Sequence, residues 1–403
     1  MRTIPVTLRD MISLGMYGET WQSFVDNYEE KFDAINIDGF DFDPVTIGYT
    51  YAQMLSKVGA QVLPTYVDPE SEGYEKPLGQ LEGNTGNIPT QKLFYSVNRV
   101  ILREKMQLVQ KYGNAVMDDE MRDVMFGLLD EGTDGLIQSF VNALNHQRHQ
   151  VVSKGEFTID ATNNPRGLKG ITIGFHMPAA NKDVLTGENM WWKTNEHTAA
   201  NEGKNSDPLM YLKNRRKAIR RTMTGYSRYE GPLGMEISRD LWDDMLTHSK
   251  VLFRLAASMY PTISDDTVRL TFLENNANED RFKEIIRKFI GVEWIKVQET
   301  YSFVSKKGTN AAGENDLIEE RIDNFDPKNV SFVPAIGRLG GIQGVTPLSM
   351  GYDADKVAYA LGNRLLIEQE DIPRTHSINV NGEMAQLCVP EAILHMYIST
   401  VTA

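Results

Sequence analysis

His146 and His149 stand three residues apart in this 403-residue chain, a spacing that lets one helix face hold a metal between two imidazoles. Two nitrogens are too few for a closed zinc site, and with Cys388 alone and no carboxylate pair at matching spacing they read as packing or surface groups. The stretch NIDGFDFD alternates acids as a calcium loop does. Its twelfth position, counted from Asn36, is Ile47 rather than a bidentate Glu, so it reads as a solvated turn. Gly337, Gly340, Gly341 and Gly344 in GRLGGIQG invite comparison with phosphate-cradling loops, yet no Lys-Ser/Thr follows and the Rossmann spacing is absent. They are expected to supply positive φ in a tight turn. No serine sits in a G-x-S-x-G elbow, and Cys388 lies in a strand pattern without a cationic neighbour to lower its pKa. Carboxylates are plentiful, but nothing marks a pair for glycoside hydrolysis. Catalysis has no positive support, and no cofactor or metal is expected.

Charge carries more information. Lysines and arginines number 42 against 55 acids, a net of −13, which opposes sequence-independent binding to a phosphate backbone over most of the surface. One segment departs from this: Lys213, Arg215, Arg216, Lys217, Arg220 and Arg221 place six cations within nine residues. Positions 213, 216, 217, 220 and 221 recur at three and four, so they share one helix face. That face is open to solvent, to acidic partner subunits or to packaged nucleic acid.

The elements that must position these groups follow from periodicity. The length fits two or three domains, and an apolar fraction of 41% with 24% charged residues is that of a folded globular chain. A single cysteine fits a reducing cytoplasm. No signal-like segment opens the chain, and no apolar run of about 18 residues could span a membrane. Residues 1–41 read as an arm with one short helix near Trp21 to Phe32. VTIGYTY, AQVLPTYV and KLFYSVN are strand-like, and the polar Gly/Pro-rich stretch DPESEGYEKPLGQLEGNTGNIPT between the last two projects as a loop. Apolar residues from Met121 to Val152 recur at three and four, predicting a helix from Asp118 to Lys154 that Gly155 stops. GEFTID and LKGITIGF form a hairpin around ATNNPRG. Asp207 and Pro208 start a helix that Gly225 ends; another runs from Ser238 through Leu252, and a third from Asn278 to Ile290. WIKVQETYSFV, VSFVPAIG, INVNGEMAQLCVP and ILHMYIST read as strands.

In their order and spacing over some 360 residues, these motifs resemble the lambda-type (protein E family) major capsid proteins of tailed phages, with the Hong Kong 97-like fold. IDGFDFDPVTIGY, KLFYSVNRVILREKM, VVSKGEFTI, NMWWK, SDPLMYLKNRRKAIRR, GMEISRDLWDDMLTHSKV and VSFVPAIGRLGGIQG carry the likeness. It implies an α+β chain with an N-terminal arm (1–41), the first part of a peripheral domain (42–63), an extended β-hairpin loop (64–96), a peripheral domain with a long spine helix (97–206), an axial domain (207–370) and closing strands (371–403). It further implies a non-enzymatic subunit that assembles with itself in hexamers and pentamers into an icosahedral or prolate head shell. Scaffolding, portal and decoration proteins would be partners, and double-stranded DNA would be enclosed through non-specific electrostatics. Because the sequence begins at Met1, a separate scaffolding protein is expected rather than a removed propeptide. The place of work is the virion, after assembly in the host bacterial cytoplasm. On this reading Tyr74, Leu78 and Leu81 anchor the extended loop on a neighbour, Lys213, Arg216, Lys217, Arg220 and Arg221 meet a neighbour or the genome, and Gly337, Gly340, Gly341 and Gly344 shape an axial turn.

Two other readings stand beside this. A carbohydrate hydrolase would use Trp191 or Trp192 as a sugar platform beside a perturbed acid pair. A tail-tube or other ring-forming protein would be mostly strand, against at least four helices predicted here.

Overall fold

Leu136, Ile137, Phe140, Val141, Leu144, Val151 and Val152 are all buried, and together they make the inner face of helix α1 (Asp118–Lys154). It ends as predicted: Gly155 adopts φ 72° and its N–H returns to Val151 O at 2.8 Å. The computed structural model describes residues 25–26, 37–57, 80–98, 118–194, 198–221, 231–275, 278–309, 315–349, 356–372 and 377–403.

α1 packs on a six-stranded sheet. Its order is β1 (Phe40–Phe42), β13 (Gly340–Val345), β16 (Ser377–Pro390), β15 (Leu365–Ile372) and β14 (Val357–Ala360), with β4 (Thr90–Asn98) pairing the other half of β16. Only β1 runs parallel to its neighbour. A Cβ at Gly382 would stand 2.6 Å from the Phe140 ring, so glycine lets the helix approach the strand. Ile37 and Phe40 join Leu144, Ile342, Val380 and Leu387 in this first core.

A second sheet, β7 (Lys182–Val184), β17 (Tyr397–Thr400), β12 (Asn329–Pro334), β8 (Leu233–Ser238) and β9 (Ile295–Gln298), carries five further helices of the described residues. These are α2 (Pro208–Arg221), α3 (Arg239–Thr247), α4 (Ser249–Met259), α5 (Asp266–Asn275) and α6 (Glu279–Ile290). β8 and β12 are buried along their whole length, as strands covered on both faces must be. The core here holds Trp191, Trp192, Leu212, Met235, Trp242 and Ile286. α6 shows why such a segment is helical: Asn278 accepts the Arg281 N–H at 3.1 Å, acids open the first turn, Arg287 and Lys288 close the last, and Gly291 at φ 83° stops it.

Among the described residues, three ribbons accompany these layers of the α+β fold: β2 (Thr50–Lys57) with β3 (Gln80–Asn87), β5 (Glu156–Ile159) with β6 (Ile171–Gly174), and β10 (Tyr301–Thr309) with β11 (Asn315–Asp323).

Several expectations change. The helix expected from Ser238 through Leu252 breaks at His248, whose extended backbone (φ −65°, ψ 129°) ends α3 and starts α4. Part of the polar projecting stretch, Gln80–Asn87, is a strand, because it pairs residue for residue with β2 and Gly86 admits the Tyr51 ring. Gly340, Gly341 and Gly344 lie in a strand rather than a tight turn, and neither they nor Gly337 has positive φ. Their smallness serves close approach instead. A Cβ on Gly340 would fall on Val389 O, on Gly341 on the Asp43 carboxylate, and on Gly344 on the Gln386 amide, whereas one on Gly337 meets nothing within 4 Å. The two cores draw on distant parts of the chain: β13, β14 and β15 share the first core with α1, while Trp191 and Trp192 belong to the second.

Candidate functional site

The basic helix is the first candidate, and its cations do not share one open face. Leu209, Leu212 and Ile219 turn α2 into the second core. On its flanks, Lys213 Nζ lies 4.2 Å from the Phe289 ring centroid, and Arg215 pairs with Asp183 at 3.8 Å. Arg216 reaches the end of α6: a Cβ on Gly291 would sit 2.9 Å from its Nη1. A cation beside the last carbonyls of a helix is favourably placed. Lys217 faces solvent, Arg220 and Arg221 are the last described residues of the helix, and its expected end at Gly225 lies outside the described residues. Two of the five cations of the predicted face, Lys213 and Arg216, are thus engaged inside the subunit.

Sequence reasoning missed a buried charge cluster between the two cores. Arg148 on α1 and Glu236 on β8 are 1% and 0% exposed and pair through two bonds, Nη1 to Oε2 at 2.6 Å and Nη2 to Oε1 at 2.5 Å. Arg148 Nη2 also reaches Asp38 Oδ2 at 2.9 Å, and its Nε donates to Asp38 O at 3.1 Å. Lys296 Nζ stands 2.7 Å from both Asp38 carboxylate oxygens, and Gln298 Nε2 donates to Glu236 Oε2 at 2.8 Å. Burial alone would push the Asp38 carboxyl up, but Arg148 and Lys296 outweigh it and hold it below the usual carboxylate range. Deleting one member of the Arg148–Glu236 pair leaves the other charge buried, at a cost of about 3–5 kcal/mol. The cluster ties the start of β1, α1, β8 and β9 together. Its one sequence signal is that Arg148 falls four residues after Leu144 and four before Val152, on the apolar stripe of α1.

The other chemical candidates resolve as structural groups. His146 Nδ1 meets Asn324 Oδ1 at 3.0 Å, and the His149 ring lies between Asn145 O, 2.6 Å from Nδ1, and Gln298 Oε1, 3.1 Å from Nε2, of which the neutral ring can donate to one; burial favours the neutral form of both rings. The acids of NIDGFDFD take cationic partners: Asp38 as above, and Asp43 with Arg338 at 2.8 Å, which also reaches Glu391. Among the described residues no group of three His, Cys, Asp or Glu side chains is placed to hold a metal. Cys388 is buried and its thiol is pushed up to about 12 by burial. Trp191 and Trp192 are buried, which removes the sugar platform.

The surface offers exposed apolar groups. Phe303 is 60% exposed on β10, with Tyr301 in edge contact at 5.4 Å and the Arg321 guanidinium 4.3 Å from the Tyr301 centroid. Phe94 on β4 is also 60% exposed, and Ile47 and Leu348 are open to solvent. Leu81 stands opposite Ser56 in the β2–β3 ribbon, while Tyr74 and Leu78 lie outside the described residues. Among the described residues, no helix is long and apolar enough to cross a membrane.

No protein-family model matches the chain, and no curated protein does. Solved structures are similar over most of its length. A phage-related protein from Bordetella bronchiseptica RB50 is 13% identical, with 98% of this chain and 97% of that one covered, at a TM-score of 0.42. The capsid of cyanophage P-SCSP1u is 8% identical, covering 91% and 87%, at 0.44. The capsid of the Myoviridae phage XM1 is 9% identical, covering 90% of both chains, at 0.43.

Proposed function

We propose that this chain is a major capsid subunit of a tailed phage with the Hong Kong 97-like fold, building the shell that encloses double-stranded DNA and performing no catalysis. The observation that carries the reading is the two-stranded β10–β11 ribbon, which leaves the large side chains Phe303 and Tyr301 uncovered. An isolated two-stranded ribbon is marginal in water, and exposed aromatic and arginine groups are those that anchor interfaces. Neighbouring copies supply the missing cover. The ordered motifs described above, from IDGFDFDPVTIGY to VSFVPAIGRLGGIQG, support the same family. Hexamers and pentamers are the expected assemblies, with scaffolding, portal and decoration proteins as partners, and assembly takes place in the host bacterial cytoplasm. Because the chain carries −13, contact with DNA is confined to local cationic surface such as the Lys217 end of α2.

Negative-stain microscopy of the expressed protein, alone and with the products of neighbouring genes, tests this. Closed shells or six- and five-fold capsomers are expected. Open tubes would move the chain to the tail-tube class, and a persistent monomer in both preparations would overturn the assembly reading.

A further inference from the structure

His248 is fully buried where α3 ends and α4 begins, and it holds three pieces of chain together. Its Nδ1 accepts the Lys250 N–H at 3.3 Å and so caps α4. On the other side of the ring, Nε2 lies 2.8 Å from Ser206 Oγ, and that hydroxyl donates to Gly203 O at 2.7 Å. The hydroxyl proton being spent on Gly203, Nε2 must carry the ring proton and Nδ1 must be bare. The cap therefore requires the neutral imidazole. Few residues cap a helix in a way that protonation abolishes, since Ser, Thr, Asn and an ionised Asp keep their acceptor through the physiological range.

We propose that this elbow is an acid-sensitive joint, in which proton uptake by His248 removes the cap of α4 and loosens the 198–207 loop from the helical layer. A proton on Nδ1 would point at the Lys250 N–H, a donor facing a donor, at the positive end of a helix. The charged groups around the ring divide as follows. Glu202, 3.8 Å from Nε2, favours the charged ring, but its carboxylate already accepts the Ser249 N–H at 2.8 Å and hydroxyl at 2.6 Å. Asp207 also favours it from the loop, but is paired with Arg254 on α4 at 2.5 Å. Lys250 opposes it, with its ammonium bonded to Ser206 O. The Trp192 ring covers one side, centroids 5.5 Å apart. Burial dominates, and the imidazole is held below its ordinary range.

The sign follows from linkage. An unfolded histidine titrates near about 6.5. Below that pH the unfolded chain binds a proton that the folded joint refuses, so the contribution of neutral His248 is complete above this value and declines as the pH falls beneath it.

Amide exchange of the full chain is the direct test, read as protection factors in peptides covering residues 249–256 at about pH 7.5 and about pH 5, on either side of the free imidazole pKa. Local readout is needed because burial also lowers His146, His149 and His395, which burden global stability in acid. Protection of the α4 start is expected to fall about five- to tenfold in acid, the scale of one lost cap. His248→Asn keeps a capping oxygen and has nothing to titrate, so its protection there should hold. Equal losses in both proteins would overturn the joint. Should His248→Asn not fold, nitrogen spectra of histidine-labelled wild-type protein decide: a proton on Nε2 and a midpoint below that of free imidazole are expected, and a proton on Nδ1 or an unshifted midpoint refutes the proposal.

Discussion

Glycine at position 341 separates two accounts of the same sequence motif. A turn needing positive φ would tolerate alanine poorly at whichever glycine adopts it, whereas a close approach depends on what lies over the missing side chain. Here φ is ordinary and the Asp43 carboxylate occupies the place of a Cβ, so even Gly341→Ala must push Asp43 away from Arg338 and part β1 from β13. Thermal melts of the two alanine variants are expected to differ: Gly341→Ala loses about 1–3 kcal/mol, typical of forced overpacking, and Gly337→Ala, which meets nothing, stays within about 0.5 kcal/mol of wild type. The reverse order would restore the turn. At this scale the sequence was legible for burial: His146 and His149, read as packing or surface groups, are both buried beside polar partners. It was not legible for pairing. Glu236 reads as an ordinary polar residue in LGMEIS, and only the fold brings it to Arg148, 88 positions away.

Among the elements, α2 shows how a correct helix can carry a partly wrong face. The start at Asp207 and Pro208 and the three-four recurrence of cations were readable, but a face is defined by what packs beside it, and α6 took Lys213 and Arg216 out of the shared stripe. The two groups of charges should therefore separate on substitution. Lys213→Gln removes an ammonium lying over an aromatic ring and is expected to lower stability by about 0.5–1 kcal/mol, with assembly yield following stability. Lys217→Gln combined with Arg220→Gln and Arg221→Gln should leave the melting temperature within a degree or two and reduce the rate of shell formation, most at low ionic strength, where encounter is steered by charge. Light scattering of assembly at two salt concentrations reads this; an unchanged rate for the triple variant removes α2 from the contact. The same contrast explains the other misses. Strong periodicity and caps made α1 and α6 plain, while β3 is a strand only because β2 lies beside it: QLEGNTGN has neither alternation nor β-branched residues beyond Thr85.

At the scale of the whole molecule, the open question is what the β2–β3 ribbon rests on. Eight residue pairs span roughly 26 Å at about 3.3 Å per residue. Its base is secured within the subunit, since Gln53 Nε2 donates to Pro390 O at 2.6 Å and Tyr51 is buried against Phe175. Beyond the paired strands, outside the described residues, the sequence DPESEGYEKPLG carries Tyr74 and Leu78 as its large apolar residues among five charged residues and two prolines. A subunit that works alone leaves this segment equally open to protease at all concentrations. A shell subunit covers it with a neighbour. Digestion with a glutamate-specific protease should therefore cut at Glu70, Glu72 or Glu75 quickly in dissociated subunits and at least about tenfold more slowly in particles, the ratio expected when cleavage requires local release of a packed segment. The control is Glu284, exposed on α6 and held by Lys288, whose slow cleavage in dissociated subunits shows that the body remains folded there. If Glu70 to Glu75 are cut at the same rate in both states while the body stays intact, the ribbon does not lie on a neighbouring copy, and the extended-loop assignment fails even if shells form.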